Sequence, residues 1–230
     1  MFPQWELTIF SPPLWALILK AVREMGLLGL EVLGVSILLS IIGGIIGFTE
    51  DQPVRLANLL TGGLPVILFV GGFVLAILIG VGAVIGDVQP GVNTFWRSRP
   101  ISPQAWYWTK YAVGLATMFL AVEIPALLFV GSHASDITRD RSVLWWLLMW
   151  NCTFSLALTA TCLIRQPGYA AILSVGGVSV LYALLEAAFG SFLPGENAAP
   201  MAILVPVFVA AFVVSTAVGW WAAVGDVAVG

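Results

Sequence analysis

Charged side chains are scarce in this 230-residue sequence, in which Asp, Glu, Lys and Arg together make up only 9% of the residues. About a quarter of the residues of an average soluble protein are charged, because a folded domain needs a solvated surface. This chain is instead 60% apolar and has a mean hydropathy of +1.03. The composition therefore indicates a protein of the lipid bilayer rather than a soluble domain.

The sequence also has few of the residues on which common enzyme sites depend. Its single histidine, His133, falls in a predicted external loop, which argues against a nucleophile and histidine pair in a span and against a metal site with several ligands. A lysine- or aspartate-based hydrolytic site is left open by this argument. No GxxxxGK[ST] motif occurs, so we expect no ATPase site, no metal and no cofactor in the chain itself.

Cationic residues are few and scattered, and the net charge is -3. A protein that tracks a phosphate backbone needs a basic patch or stripe, and none is present, so nucleic acid is not an expected partner. The two cysteines, Cys152 and Cys162, lie in one apolar run about 15 Å apart along a helix, which is too far for a disulfide. We expect both to behave as buried small hydrophobic residues.

Long apolar runs are what the sequence has in abundance. A bilayer core of about 30 Å is crossed by roughly 20 helical residues, and six stretches meet that length. They cover approximately residues 27–47, 64–86, 111–130, 143–164, 169–190 and 201–221. The joints between them are short and rich in Gly, Pro, Asp and Arg, so the sequence predicts an all-α fold with one six-span domain over residues 1–230.

A short amphipathic helix is predicted over residues 12–25, ahead of the first span. Its apolar face would carry residues at helical spacing, namely Leu14, Leu17, Ile18, Ala21 and Met25. Lys20, Arg23 and Glu24 lie towards the other face. Such a helix is expected to lie flat in the cytoplasmic interface with Trp15 as an anchor, either as a simple tether or as a docking surface for a soluble partner.

The distribution of Lys and Arg predicts the orientation of the spans. One side gathers six cations: Lys20, Arg23, Arg97, Arg99, Lys110 and Arg165. The other side has three: Arg55, Arg139 and Arg141. Because positive residues accumulate in cytoplasmic loops, we expect a multi-pass protein of the plasma or bacterial inner membrane with both termini in the cytoplasm.

Two carboxylates in the predicted spans are candidates for a substrate pathway, because an ionisable group at membrane depth is costly unless it is paired or faces a cavity. Glu31 lies one turn into the first span, near enough to its end to reach interfacial water. Glu123 lies deeper, and Pro125 frees the carbonyl near Ala121, which predicts a local kink with a polar lining. Two roles stay open for Glu123: a pathway or proton-linked group, or a structural hydrogen bond to a neighbouring helix.

The segment from Gly86 to Lys110 reads GDVQPGVNTFWRSRPISPQAWYWTK. An acidic residue at the end of the second span, then an aromatic and basic stretch, then RPIS and a lysine at the third span resembles the permease subunits of type-2 ABC exporters. The similarity extends with less specificity to the whole chain, through the segment KAVRE before the first span, the six spans and the cytoplasmic termini. Large external domains, frequent in that family, have no counterpart here, so substrate recognition is expected within the spans.

The resemblance implies a transmembrane permease subunit that pairs with a separate ABC ATPase subunit, which binds the ATP, and that forms a homodimer or a heterodimer with a second permease in the lipid bilayer. The residues that it assigns to the contact with the ATPase are Asp87, Arg97, Arg99, Pro100, Ser102, Lys110, Lys20, Arg23 and Glu24. Ser102 is also suited to cap a helix that begins at Pro103. Two alternatives stay open: an ATP-independent six-span secondary transporter that uses Glu123, and a non-transporting membrane scaffold.

Overall fold

The computed structural model describes residues 12–47, 64–88, 101–131, 137–164, 166–189 and 201–228. Except for residues 101–102 and 166, this part of the chain is helical, and no strand occurs in it. The helices are α1 (Pro12–Gly47), α2 (Leu64–Val88), α3 (Pro103–Met118), α4 (Ile124–Gly131), α5 (Ile137–Ile164), α6 (Pro167–Phe189) and α7 (Met201–Ala228). A π-helical segment, Phe119–Glu123, joins α3 to α4. The prediction of an all-α fold is confirmed for the described residues.

Within the described residues, three helical stretches are long and apolar enough to cross a membrane: Pro103–Leu128, Leu144–Ile164 and Val205–Gly225. Their mean hydropathies are 1.8, 1.6 and 2.0. Shorter apolar stretches occupy Val70–Ile85 in α2 and Pro167–Leu181 in α6. These lengths and compositions agree with the predicted membrane location of the chain.

The first helix differs from its prediction in one respect. The structure has a single helix over Pro12–Gly47 where the sequence predicts an interfacial helix over 12–25 followed by a separate span. The predicted apolar face is present, but it packs against protein: Ala21 and Met25 are fully buried in the main core, together with Ala83 of α2 and Tyr107 of α3. The buried side chains of this face therefore stabilise the bundle, while the large apolar side chains of Trp15, Leu19 and Val22 in the same segment are exposed.

The third helix begins earlier than the predicted span, which was expected to start at residue 111. Pro103 is its first residue and Ser102 its N-cap, with extended backbone angles. Proline at the first helical position is favoured because its missing N–H would have no helical partner there. Trp106, Tyr107 and Trp108, which precede the predicted span and are typical of the membrane interface, thus belong to the same helix as the span.

Helix α5 lies at the centre of the bundle and packs against α2, α6 and α7, while α1 packs against α2 and α3. The large side chains of the main core include Trp150 and Phe154 of α5 and Leu75 and Ile79 of α2. Close approach of α2 to α5 requires glycine at position 80, because an added Cβ would lie 2.6 Å from the Ala157 Cβ. Helices without a side chain at the crossing point gain contact along their backbones.

Neither cysteine takes part in a disulfide, and both lie on α5, as the sequence predicts. Cys152 is fully buried in a small core cluster with Val178 and Phe208. Cys162 is partly buried against the main core. The interpretation of Cys152 as a buried small hydrophobic residue is confirmed, whereas Cys162 is only half covered.

Candidate functional site

Four charged side chains and one indole meet where α1, α2 and α3 come together, and we call this group the charge cluster. Its members are Lys20 and Glu24 of α1, Asp87 of α2, and Trp106 and Lys110 of α3. Asp87 is at the centre, with its Oδ1 2.7 Å from Lys20 Nζ and its Oδ2 3.1 Å from Lys110 Nζ. The indole Nε1 of Trp106 donates a hydrogen bond of 3.0 Å to the same Oδ2. One carboxylate thus receives donors from both neighbouring helices.

Glu24 completes the charge cluster from α1. Its Oε2 lies 3.4 Å from Lys110 Nζ, and its Oε1 lies 3.7 Å from Lys20 Nζ. The two lysines therefore contact two carboxylates, and the formal charges of the four side chains cancel. A group of opposite charges that satisfy one another is the arrangement that makes burial of ionic groups tolerable.

The centre of the charge cluster is shielded from solvent, since the side chain of Lys110 is 1% exposed and that of Asp87 is 3% exposed. Asp87 lies just beyond the predicted second span, at the last turn of α2. Burial by itself would raise the pKa of its carboxyl group. The charge of Lys110 and the hydrogen bonds from Lys20 and Trp106 outweigh that effect, so the pKa of Asp87 lies below its ordinary value of 3.8.

Local sequence explains why these side chains meet. Lys20 and Glu24 are four residues apart on α1, and Trp106 and Lys110 are four residues apart on α3, so each pair shares one helix face. The register of α3 is set at its start, where the backbone N–H of Ala105 donates a hydrogen bond of 3.2 Å to Ser102 Oγ. This confirms the predicted cap at Ser102. The cap positions the turn that carries Trp106.

The structure brings together four of the residues that the resemblance assigns to the ATPase contact, namely Lys20, Glu24, Asp87 and Lys110. Ser102 acts as a cap, and Arg23 is exposed on α1. Arg97, Arg99 and Pro100 lie outside the described residues. Trp106 is the member that sequence reasoning missed, because an indole near a span end is most simply taken as an interfacial anchor. Its position four residues before Lys110, on the same face of α3, is the feature of the sequence that could have identified it as a member of the charge cluster.

Glu123 lies in the π-helical segment, on the side of α3 that faces α5. Its side chain is buried, and Asn151 Nδ2 donates a hydrogen bond of 2.6 Å to its Oε1. The predicted distortion ahead of Pro125 is present: the N–H of Ile124 bonds to the carbonyl of Phe119, five residues back. Of the two roles left open for Glu123, a hydrogen bond to a neighbouring helix is therefore observed. Asn151, the only asparagine in its apolar run, was not singled out from the sequence.

A second polar group, which the sequence did not predict, joins α3, α5 and α7. Tyr111 and Ser155 hydroxyls lie 2.7 Å and 3.0 Å from Thr216 Oγ1. Tyr107 donates its hydroxyl hydrogen to the carbonyl of Thr216 over 3.0 Å. Because buried hydroxyls in an apolar bundle need partners, these bonds fix the contact of α7 with α3 and α5.

Glu31 takes a different place from that predicted. It is exposed on α1, and it makes no hydrogen bond or ion pair with the described part of the chain. Gly29, two residues earlier, packs against Thr117 and Ala121, in the middle of the membrane-crossing stretch Pro103–Leu128. Helix α1 thus extends as one helix along α3 and places Glu31 beside the middle of that stretch, whereas the sequence predicts a position near the end of a span.

Comparison with known proteins adds no assignment. No protein-family model matches the chain. No curated protein matches it either. The residues and contacts described above are therefore the basis of the functional argument.

Proposed function

We propose that the chain is the six-span permease subunit of an ATP-driven ABC exporter in the plasma (inner) membrane, with both termini in the cytoplasm. It would bind a separate ATPase subunit and dimerise with itself or with a second permease. The observation that carries this proposal is the charge cluster. It connects the amino-terminal part of α1 with the end of α2 and the start of α3, and these are the segments that the resemblance assigns to the ATPase contact.

A permease that is driven by a separate ATPase needs a rigid connection between the docking surface and the spans. The charge cluster supplies one, because Asp87 holds Lys20 of α1 and Lys110 of α3 through ion pairs of 2.7 and 3.1 Å. Buried ionic contacts are costly to separate, so the three helix ends are expected to move together. Since α1 continues without a break from the charge cluster to Gly47, a displacement of its first turns is passed along the helix.

Orientation supports the same proposal. The charge cluster lies in the part of the chain that the distribution of Lys and Arg places on the cytoplasmic side, where an ATPase would be found. Ser102 and Pro103 start α3 immediately after the RPI sequence, so a force on the residues before Ser102 would act directly on the first turn of a helix. A displacement of the segment before Ser102 would therefore be passed to α3 directly.

The proposal is tested by purifying the solubilised chain from its own membranes and identifying any P-loop ATPase that co-purifies with it. We expect a stable complex whose ATP hydrolysis differs from that of the ATPase alone, and we expect Arg99→Glu to weaken the complex. The matched control is Arg139→Glu, which reverses a charge on the predicted external side. Absence of any ATPase in the purified material, or an ATPase complex and hydrolysis rate that Arg99→Glu leaves unchanged, would contradict the proposal.

A further inference from the structure

The exposed carboxylate of Glu31 lies at the mid-depth of the bundle. A Cβ added at Gly29 would be 2.8 Å from Thr117 Cγ2 and 3.4 Å from Ala121 Cβ, so α1 and α3 are in direct contact at this level. Thr117 is about 15 Å along the helix from Tyr107, in the aromatic segment that marks the predicted interface. Glu31 lies about 3 Å further along α1 than Gly29, and therefore near the centre of a bilayer core of about 30 Å.

The surroundings of Glu31 on the outer face of α1 are apolar. Leu27, Leu30 and Val35 are all more than half exposed. An ionisable side chain at this depth is costly unless a donor or cation contacts it, and the described part of the chain supplies neither. A donor or cation that contacts the carboxylate would therefore have to come from outside the described residues.

The exposed residues around Glu31 lie along one face of α1. Leu27, Glu31, Gly34 and Leu38 follow one another at four, three and four residues, so they form a single stripe along α1. A Cβ added at Gly34 would meet no atom within 4 Å. The carboxylate thus has apolar side chains on both sides and open space one turn above it, an arrangement suited to a ligand with a positive charge and a bulky apolar body.

A second copy of the chain is a poorer occupant of this stripe. A two-fold axis along the membrane normal that passed through this stripe would bring the two Glu31 carboxylates against each other, and like charges in a medium of low dielectric constant repel strongly. Arg23, the nearest cation on the exposed side of α1, is eight residues and about 12 Å away along the helix. Charge complementarity therefore favours a cationic ligand over self-association.

We propose that Glu31 is the anionic contact of a membrane-embedded site for amphipathic organic cations on the stripe Leu27, Glu31, Gly34 and Leu38. The carboxylate pairs with the positive charge, while the leucines cover the apolar body of the ligand. This inference deepens the proposed function by naming the class of substrate, and it rests on that function only in treating the ligand as cargo. Binding itself needs no ATPase.

The test uses the full-length chain in lipid nanodiscs with tetraphenylphosphonium as the probe and tetraphenylborate, which has nearly the same size and the opposite charge, as its control. We expect saturable binding of the cation above that of empty nanodiscs and none of the anion. Glu31→Gln should weaken cation binding about tenfold or more, since it removes a charge-assisted contact. Equal binding of both ions, or equal affinity in the Glu31→Gln protein, would overturn the proposal.

Two glycine variants locate the site on α1. Gly34→Leu fills the open space beside Glu31 and should weaken binding. Gly26→Leu is the matched control, because Gly26 also has no atom within 4 Å of an added Cβ but lies closer to the amino end of α1 than the carboxylate does. Equal affinity in the two variants would contradict the location.

A change in oligomer size in the Glu31→Gln protein would assign the stripe to a protein contact and overturn the proposal. Because no ATPase takes part, failure of this binding test leaves the co-purification test unaffected.

Discussion

The ammonium nitrogen of Lys110 lies 3.1 Å from Oδ2 of Asp87, and both side chains are almost completely shielded from solvent. Lys20 contacts the other oxygen of the same carboxylate at 2.7 Å, but its side chain is 35% exposed. The two lysines thus contact the same carboxylate, but Lys110 is shielded from solvent while Lys20 is partly exposed. Burial strengthens an ion pair and raises the penalty for breaking it, so the two lysines are expected to differ in their contribution to stability.

Replacing either lysine with methionine measures this difference. Lys110→Met should lower the free energy of unfolding by roughly 1.5–3 kcal/mol, because it removes a buried charged partner while Lys20 still pairs with Asp87. Lys20→Met should cost about 1 kcal/mol or less, since its side chain is partly exposed and screened by water. The measurement is equilibrium unfolding in detergent micelles, and a larger effect at Lys20 than at Lys110 would contradict the assigned centre of the charge cluster.

The lowered pKa of Asp87 predicts loss of stability in acid. A carboxyl group whose pKa is depressed in the folded state contributes stability above its ordinary pKa of 3.8 and loses that contribution as the pH falls through the folded value. Thermal unfolding followed by circular dichroism should therefore show little contribution from Asp87 to the pH dependence between about pH 7 and 5, and a decline below about pH 4. Asp87→Asn should remove part of that decline, and an identical acid profile would contradict the assignment.

Helix starts, packing faces and the apolar runs could be predicted from the sequence because they depend on local patterns. The Ser102 cap followed by Pro103 sets the start of α3, and the spacing of Ala21 and Met25 identifies a buried face. The contacts of Trp106 with Asp87 could not be predicted, because they join residues 19 positions apart through the packing of two helices.

The level of Glu31 along the bundle is the quantity that local pattern placed least well. Counting residues from the start of an apolar run put Glu31 near the end of its span, whereas packing of Gly29 against Thr117 and Ala121 puts it beside the middle of the stretch Pro103–Leu128. The depth of a residue depends on how neighbouring helices slide along one another, and that offset is fixed by contacts distant in sequence. The hydrogen bond from Asn151 to Glu123 could not be predicted for the same reason, since it joins two helical segments that pack side by side.

The cap at Ser102 gives a prediction with a conservative control. Ser102→Ala removes the acceptor for the N–H of Ala105 and should destabilise the start of α3 by about 0.5–2 kcal/mol. Ser102→Asp should retain most of the stability, because aspartate is an equally good N-cap. Hydrogen exchange of the first turn of α3 provides the readout, and equal protection in the Ala and Asp variants would show that the cap contributes nothing.

Two glycines of α2 form a matched pair for testing the contact with α5. Gly80→Ala would place a Cβ 2.6 Å from the Ala157 Cβ and 2.9 Å from the carbonyl oxygen of Phe154, so the two helices must move apart. Gly82→Ala would meet only Leu28 Cδ1 at 3.7 Å, an ordinary contact. We expect a loss of about 1–3 kcal/mol for Gly80→Ala and no loss for Gly82→Ala. Equal unfolding midpoints would contradict the observed packing.

The central claim is that the charge cluster connects an ATPase subunit to the spans. The most direct measurement is the rate of ATP hydrolysis by the ATPase reconstituted with the Asp87→Asn, Lys110→Met double variant. The rate is measured below the unfolding temperature of that variant and is normalised to the amount of bound ATPase. The account predicts that the ATPase still binds and hydrolyses ATP at its own basal rate, while the change in rate caused by the intact permease is lost. An unchanged effect of the permease on ATP hydrolysis, in a folded complex without these two charges, would contradict the account.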